Sequence, residues 1–226
     1  MTERTVLVTG GTGGLGGAVT EAFLDAGWRV VVPQREPGTD GGGPVRVEAD
    51  LLTPEGAARA VEVATAEPAA PLRALVNLVG GYAAGGLVHE TPVEEFERML
   101  RLNLRPTYLV THAALPHLAA TGDGAVVCVS ARAAVSPFPG ASGYVTAKAA
   151  VRAFADAVAV EYRQRGVRSN TVLPSVIDTP ANRAAQPDAD HRRWVPPAEI
   201  AGVIRFLAST ESAPTSGAGI PVYGRA

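Results

Sequence analysis

Lysine is nearly absent from this chain of 226 residues: of 20 basic side chains, only Lys148 is a lysine, and the rest are arginines. At an exposed position either residue serves as a positive charge, so the sequence singles out 148 as a place that arginine does not suit. Cysteine is as scarce. Cys128 stands alone, which excludes an internal disulfide and reads as a small buried hydrophobe. No apolar run reaches the ~18 residues of a membrane span. The net charge of -2, with arginines scattered, offers no basic stripe to nucleic acid. The N-terminus, MTERTVLVTGG, reaches a glycine too early for a signal peptide. His89, His112 and His117 lack metal-ligand spacing, and His191 reads as an exposed loop residue. The expectation is a cytoplasmic protein acting on a small molecule, with no metal, membrane or nucleic-acid partner.

Valine-rich runs are what the chain has instead. They fall at 5–10, 29–34, 45–50, 74–80, 125–131, 167–174 and 218–224, and most lack strict polar alternation. That pattern suits parallel strands buried on both faces. Helical stretches are expected between them, at 14–27, 54–66, 92–120, 144–165 and 197–209. The alternation predicts one α/β domain over 1–226, a Rossmann-type doubly wound parallel sheet of about seven strands with helices on both faces. EPGTDGGGP (36–44) is expected to be a flexible loop.

TVLVTGGTGGLGGAV places a strand directly before a glycine cluster and a helix directly after it. Glycines allow a tight turn and a close backbone approach to a diphosphate, and the helix N-terminus presents free N–H groups to the anion. Two frames fit, Gly11-x-Gly13-x-x-Gly16 and Thr9-Gly10-x-x-x-Gly14-x-Gly16.

The second frame resembles the short-chain dehydrogenase/reductase family, and further motifs extend that resemblance over essentially the whole chain. Asp50 closes the third strand, NLVG (77–80) is similar to the family's Asn-Asn-Ala-Gly element, and Asn103 in RLNL matches its helix asparagine. Tyr144-x-x-x-Lys148 matches the active-site pair, and LPSVIDTP (173–180) is similar to Pro-Gly-x-x-x-Thr, with Ser175 for glycine. The resemblance implies a cofactor site built from Thr9, Gly10, Gly14, Leu15, Gly16, Asp50, Leu51, Asn77, Val79 and Gly80. Tyr144, Lys148, Pro174, Ile177 and Thr179 would complete it. It also implies a mainly cofactor-binding half over 1–130, a catalytic and substrate half over 131–226, and a homodimer or homotetramer.

NAD enzymes place an acid about 20 residues beyond the glycines for the ribose hydroxyls, whereas an arginine suits a 2′-phosphate. Here Gln34 falls in the acid's place and Arg35 follows, so NADP(H) is favoured; Glu36 leaves NAD(H) open. On a helix, positions 144 and 148 share a face. A nearby ammonium is expected to lower the pKa of the phenol, ordinarily near ~10, and lysine can also reach ribose hydroxyls where arginine's wide fork cannot. The chemistry implied is hydride transfer to a carbonyl or imine carbon, with Tyr144 as proton donor. Asn103 is implied to hold a water that relays protons from Lys148.

One position departs from the pattern. The family serine lies 13 residues before the tyrosine, and here that residue is Ala131, with Ser130 one step further away. The loop 132–143 decides whether Ser130 or no serine enters the site. Alanine there, with NLVGGYAAGG (77–86), is similar to the dihydropteridine-reductase-like branch, so a quinonoid substrate is one alternative. A cofactor-binding regulatory protein of weak turnover is another. The segment 181–196 is expected to form a short substrate lid carrying Arg183 and Trp194, with Tyr82 as an opposing wall and Ser142 nearby.

Overall fold

The computed structural model describes residues 4–36 and 43–225, so most of the glycine-rich loop expected at 36–44 lies outside the described residues. In chain order the elements are β1 (Thr5–Thr9), α1 (Gly16–Asp25), β2 (Arg29–Gln34), β3 (Val45–Glu48), α2 (Pro54–Thr65), β4 (Leu72–Asn77) and α3 (Val93–Asn103). Then come α4 (Arg105–Ala120), β5 (Gly124–Val129), α5 (Ser142–Glu161), β6 (Val167–Pro174), α6 (Pro180–Ala185), α7 (Pro197–Ala208) and β7 (Gly219–Val222). Among the described residues no helix is long and apolar enough to cross a membrane.

The strands form one sheet in the order β3-β2-β1-β4-β5-β6-β7, with all neighbours parallel. The central strands are buried on both faces and are mostly apolar, while the edge strands β3 and β7 are partly exposed. Alternation then sorts those side chains between two cores. Val6 and Val8 of β1 join the core under α1 and α7, while Leu7 joins the one under α2, α4 and α5. In β5, Val127 and Val129 face α7, and Val126 and Cys128 face the other layer.

Strand order reverses between β1 and β4, so their outgoing loops part and leave a crevice at the carboxyl edge of the sheet. Thr9 ties the two lips together there, accepting from the N–H groups of Leu78 (3.1 Å) and Val79 (3.4 Å). The glycine turn fills the β1 side. Gly10 has φ +69°, and a β-carbon on Gly16 would lie 2.0 Å from the Gly10 carbonyl oxygen. Only a hydrogen side chain lets α1 start so close to the strand that feeds it.

One expected helix is two. The stretch read as 92–120 breaks into α3 and α4 around Leu104. Pro106 lacks the N–H that would reach the Leu102 carbonyl and its ring crowds the preceding turn, and Thr107 Oγ1 donates to the Asn103 carbonyl at 3.0 Å. The break aims Asn103 at the crevice.

Two adjacent glycines give a contrasting test of this packing. Gly16→Ala should cost about 1–3 kcal/mol through overpacking. Gly17→Ala, where an added β-carbon meets nothing within 4 Å, should be neutral or stabilising by up to about 1 kcal/mol through helix propensity. Thermal unfolding of both variants checks the pair.

Candidate active site

The groups at the carboxyl edge come from several elements. The turn after β1 brings Gly10 and Gly14, and Leu15 enters α1 without a side-chain cap, leaving first-turn N–H groups for an anion. Thr179, from the loop after β6, packs onto the same turn; a β-carbon on Gly14 would lie 2.7 Å from its Cγ2. Thr179 also caps α6 by accepting from the Asn182 N–H at 3.2 Å. Pro174 ends β6, and Ile177 bridges to Val195.

The Tyr144–Lys148 pair lies on the first two turns of α5. Lys148 is 7% exposed and its Nζ donates to the Val129 carbonyl at 3.1 Å. Asn103 is buried at the end of α3. Its Nδ2 donates to the carbonyls of Gly81 (3.1 Å) and Met99 (2.9 Å), and its Oδ1 accepts from the Gly81 N–H at 3.1 Å. Lys148 and Asn103 meet at Gly80, where an added β-carbon would stand 2.5 Å from Asn103 Oδ1 and 3.1 Å from Lys148 Nζ.

Burial governs the ionisation of this pair. Lys148 is pushed down to about 8 by burial, opposed by the Cys128 sulfur. Tyr144 is pushed up to about 12, by burial first and then by Tyr82. The sequence led to the opposite direction for the phenol. Nζ lies 6.0 Å from the Tyr144 ring centroid and bonds Val129 instead, so desolvation outweighs the ammonium.

Other residues singled out by sequence are committed elsewhere. Ser130 is buried and its Oγ donates to the Lys148 carbonyl at 2.7 Å. Asn77 sits inside the sheet, donating to Thr111 Oγ1 at 3.0 Å, with Oδ1 unpartnered among the described residues. Leu51 is core, and Asp50 accepts from the Leu52 N–H at 3.0 Å. Val79 is half-buried behind Gly80. Arg183 forms a two-bond pair with Asp178 at 2.5 and 2.7 Å. Trp194 is buried against His191, with ring centroids 4.3 Å apart. Ser142 lines a hollow of about 170 Å³ with Gly85, Glu95 and Met99. Tyr82 meets Tyr144 edge to face at 5.0 Å.

At the β2–β3 edge, Gln34 donates to the Glu36 carbonyl at 2.7 Å and accepts from Arg46 at 3.3 Å. Arg35, Arg46 and Arg59 line one groove of about 680 Å³ with Asp50. Sequence reasoning missed Arg46 and the Val129 carbonyl. Exposed alternation in VRVE could have flagged the first; a backbone acceptor leaves no residue signal.

Comparison with known proteins gives one answer at two levels. Residues 4–190 match the short chain dehydrogenase family. A 2-(R)-hydroxypropyl-CoM dehydrogenase from Xanthobacter autotrophicus is 32% identical, the alignment covering 98% of each chain. The 3-oxoacyl-[acyl-carrier-protein] reductase MabA from Mycobacterium tuberculosis is 31% identical over 98% of this chain and 92% of its own. A short-chain type dehydrogenase/reductase from Mycobacterium ulcerans superposes with a TM-score of 0.91 at 27% identity, covering 100% of this chain and 90% of that one.

The buried lysine makes stability depend on pH. Its pKa is about 8 in the fold against roughly 10.4 in an unfolded chain, so the unfolded state binds more protons between those values. Stability therefore rises with pH across that window. From pH 7 to 9.5, denaturant titration should show about 2 kcal/mol more gain for the parent than for Lys148→Met.

Proposed function

The chain belongs to the short-chain dehydrogenase family of oxidoreductases, and on that footing we propose that it reduces a ketone, aldehyde or imine with a nicotinamide cofactor. The observation that carries this reading is the convergence of Lys148 Nζ and Asn103 Oδ1 on Gly80, beside the glycine turn. The residues present fit the group. A tight glycine turn at a helix start suits a diphosphate, and bare Gly80 leaves room for a ribose against Lys148.

A bound reduced nicotinamide supplies the hydride to the substrate carbon. Tyr144 gives its phenol proton to the substrate oxygen or nitrogen. Held at about 12, that phenol is protonated at neutral pH and stands in the donor state. Lys148, still largely charged at pH 7, stabilises the phenolate left behind and donates to the ribose hydroxyls. Asn103 Oδ1 keeps a second lone pair for a water that relays protons from Lys148. Arg35 and Arg46, on one groove with Asp50, support NADP(H) over NAD(H). The rings of half-exposed Tyr108 and Phe154, 5.6 Å apart across α4 and α5, support self-association through those helices.

A panel of aldehydes, ketones, imines and quinonoid dihydropterins, followed at the nicotinamide absorbance, tests the reading; NADPH bound but never oxidised would overturn it. With the best substrate, Tyr144→Phe should lose at least about 100-fold in kcat with little change in the Kd for NADPH. Lys148→Arg should damage both constants, and parental activity in that variant would remove the role given to the lysine.

NADPH should bind more tightly than NADH, and Arg35→Ala should erase most of the difference. Calorimetry on both cofactors checks this; NADH binding better in the parent would assign the ribose to Glu36.

A further inference from the structure

Ala131 stands where a serine would hold the substrate oxygen, and neighbouring hydroxyls are spent on the fold. Ser130 Oγ donates to the Lys148 carbonyl at 2.7 Å, and Ser175 Oγ donates to the Tyr223 carbonyl at 2.8 Å. Thr179 Oγ1 serves as the cap of α6. Ala131 has extended backbone (φ -160°, ψ 158°), so its β-carbon points opposite to that of Ser130. The serine's task is therefore open on that side of Tyr144.

Tyr82 is the hydroxyl-bearing side chain that meets Tyr144. The rings pack edge to face with centroids 5.0 Å apart and 83° between their planes. Tyr82 is nevertheless 61% exposed, so its phenol is open to a ligand. Its root is held. Asn103 bonds both the N–H and the carbonyl of Gly81 at 3.1 Å, fixing the peptide from which Tyr82 springs. Gly80 and Gly81 carry no side chain to intervene, and a β-carbon on Gly81 would stand 2.4 Å from Leu102 Cδ2. Tyr82 also acts on the ionisation of Tyr144, raising it, which agrees with two phenols in direct contact.

We propose that Tyr82 supplies the hydrogen bond that the missing serine would give, its hydroxyl donating to the substrate oxygen or nitrogen while Tyr144 transfers the proton. This rests on the oxidoreductase reading above. The hydride pair forms the new C–H bond, the electrons of the C=O or C=N bond move onto the heteroatom, and Tyr144 protonates it. The Tyr82 O–H bond stays intact throughout.

The test uses the full chain and three variants: Tyr82→Phe, which keeps the ring, Ala131→Ser, and the double variant. Two readouts are taken. One is kcat with the best carbonyl or imine of the panel. The other is the Kd of an unreactive primary carboxamide in the presence of NADPH, a carbonyl that accepts hydrogen bonds but takes no hydride. Tyr82→Phe should lower kcat on the order of 100-fold, as loss of an oxyanion donor does, and weaken carboxamide binding about fivefold, as loss of one hydrogen bond does. Adding Ala131→Ser should recover most of both, and NADPH binding should stay constant. Turnover and carboxamide binding unchanged in Tyr82→Phe would overturn the proposal and leave the oxidoreductase reading intact. A parent that reduces nothing in the panel, yet binds carboxamide through Tyr82, would overturn that reading and keep the hydrogen bond. A parent that neither turns over nor binds carboxamide overturns both.

Discussion

An ammonium group taken out of water sets the terms for this site. Lys148 is 7% exposed, and among the described residues no carboxylate pairs with it. Burying a charge without an opposite charge is costly unless hydrogen bonds replace the lost water. The protein offers the Val129 carbonyl at 3.1 Å and leaves the rest of the demand to whatever lies over Gly80. A polyhydroxylated ligand meets that demand with several acceptors at once. In the proposed reading, binding energy and lysine chemistry would draw on the same donor, and a wide guanidinium would need more acceptors than one carbonyl and one glycine-sized gap provide.

The sheet makes such a site possible by bringing remote residues to one edge. Val129 ends β5, and Gly80 and Thr179 follow β4 and β6, while Asn103 and Tyr144 arrive on helices that cross back over the sheet. The pieces meet because parallel strands all end on the same side. The break between α3 and α4 falls just after Asn103, whose Oδ1 accepts from the Gly81 N–H.

What could be read from sequence follows from what carries a residue signature. Valine runs report burial on both faces for the central strands, and short valine-bearing runs marked even the partly exposed edge strands β3 and β7. Glycines at 10, 14 and 16 report a turn that a β-carbon would block, and the 144–148 spacing reports a shared helix face. Backbone partners leave no such mark. The hold of Val129 on Lys148, of Lys148 on Ser130 and of Gly81 on Asn103 all run through main-chain atoms, and identical side chains could have made other bonds. The ionisation of Tyr144 was misjudged for a related reason: spacing gives the neighbour's charge but not the depth of burial that opposes it. Arg183 was legible as a charge and not as a partner, because Asp178, five residues earlier, captures it across a helix start.

The scarcity of two residue types gives the molecule an unusual labelling chemistry. Its one cysteine is wholly buried between β5 and α4, and its one lysine sits in the crevice, so thiol and amine reagents each have a single side-chain target. Maleimide can reach Cys128 only when the sheet opens, which turns alkylation into a clock for global unfolding. Acylation at Lys148, told apart from the α-amine by peptide mapping, instead reports on the crevice, because an amine held near 8 is partly nucleophilic at mild pH and would be covered by a ligand lying on Gly80. Two reagents, without any engineered residue, thus separate occupancy of the crevice from integrity of the fold.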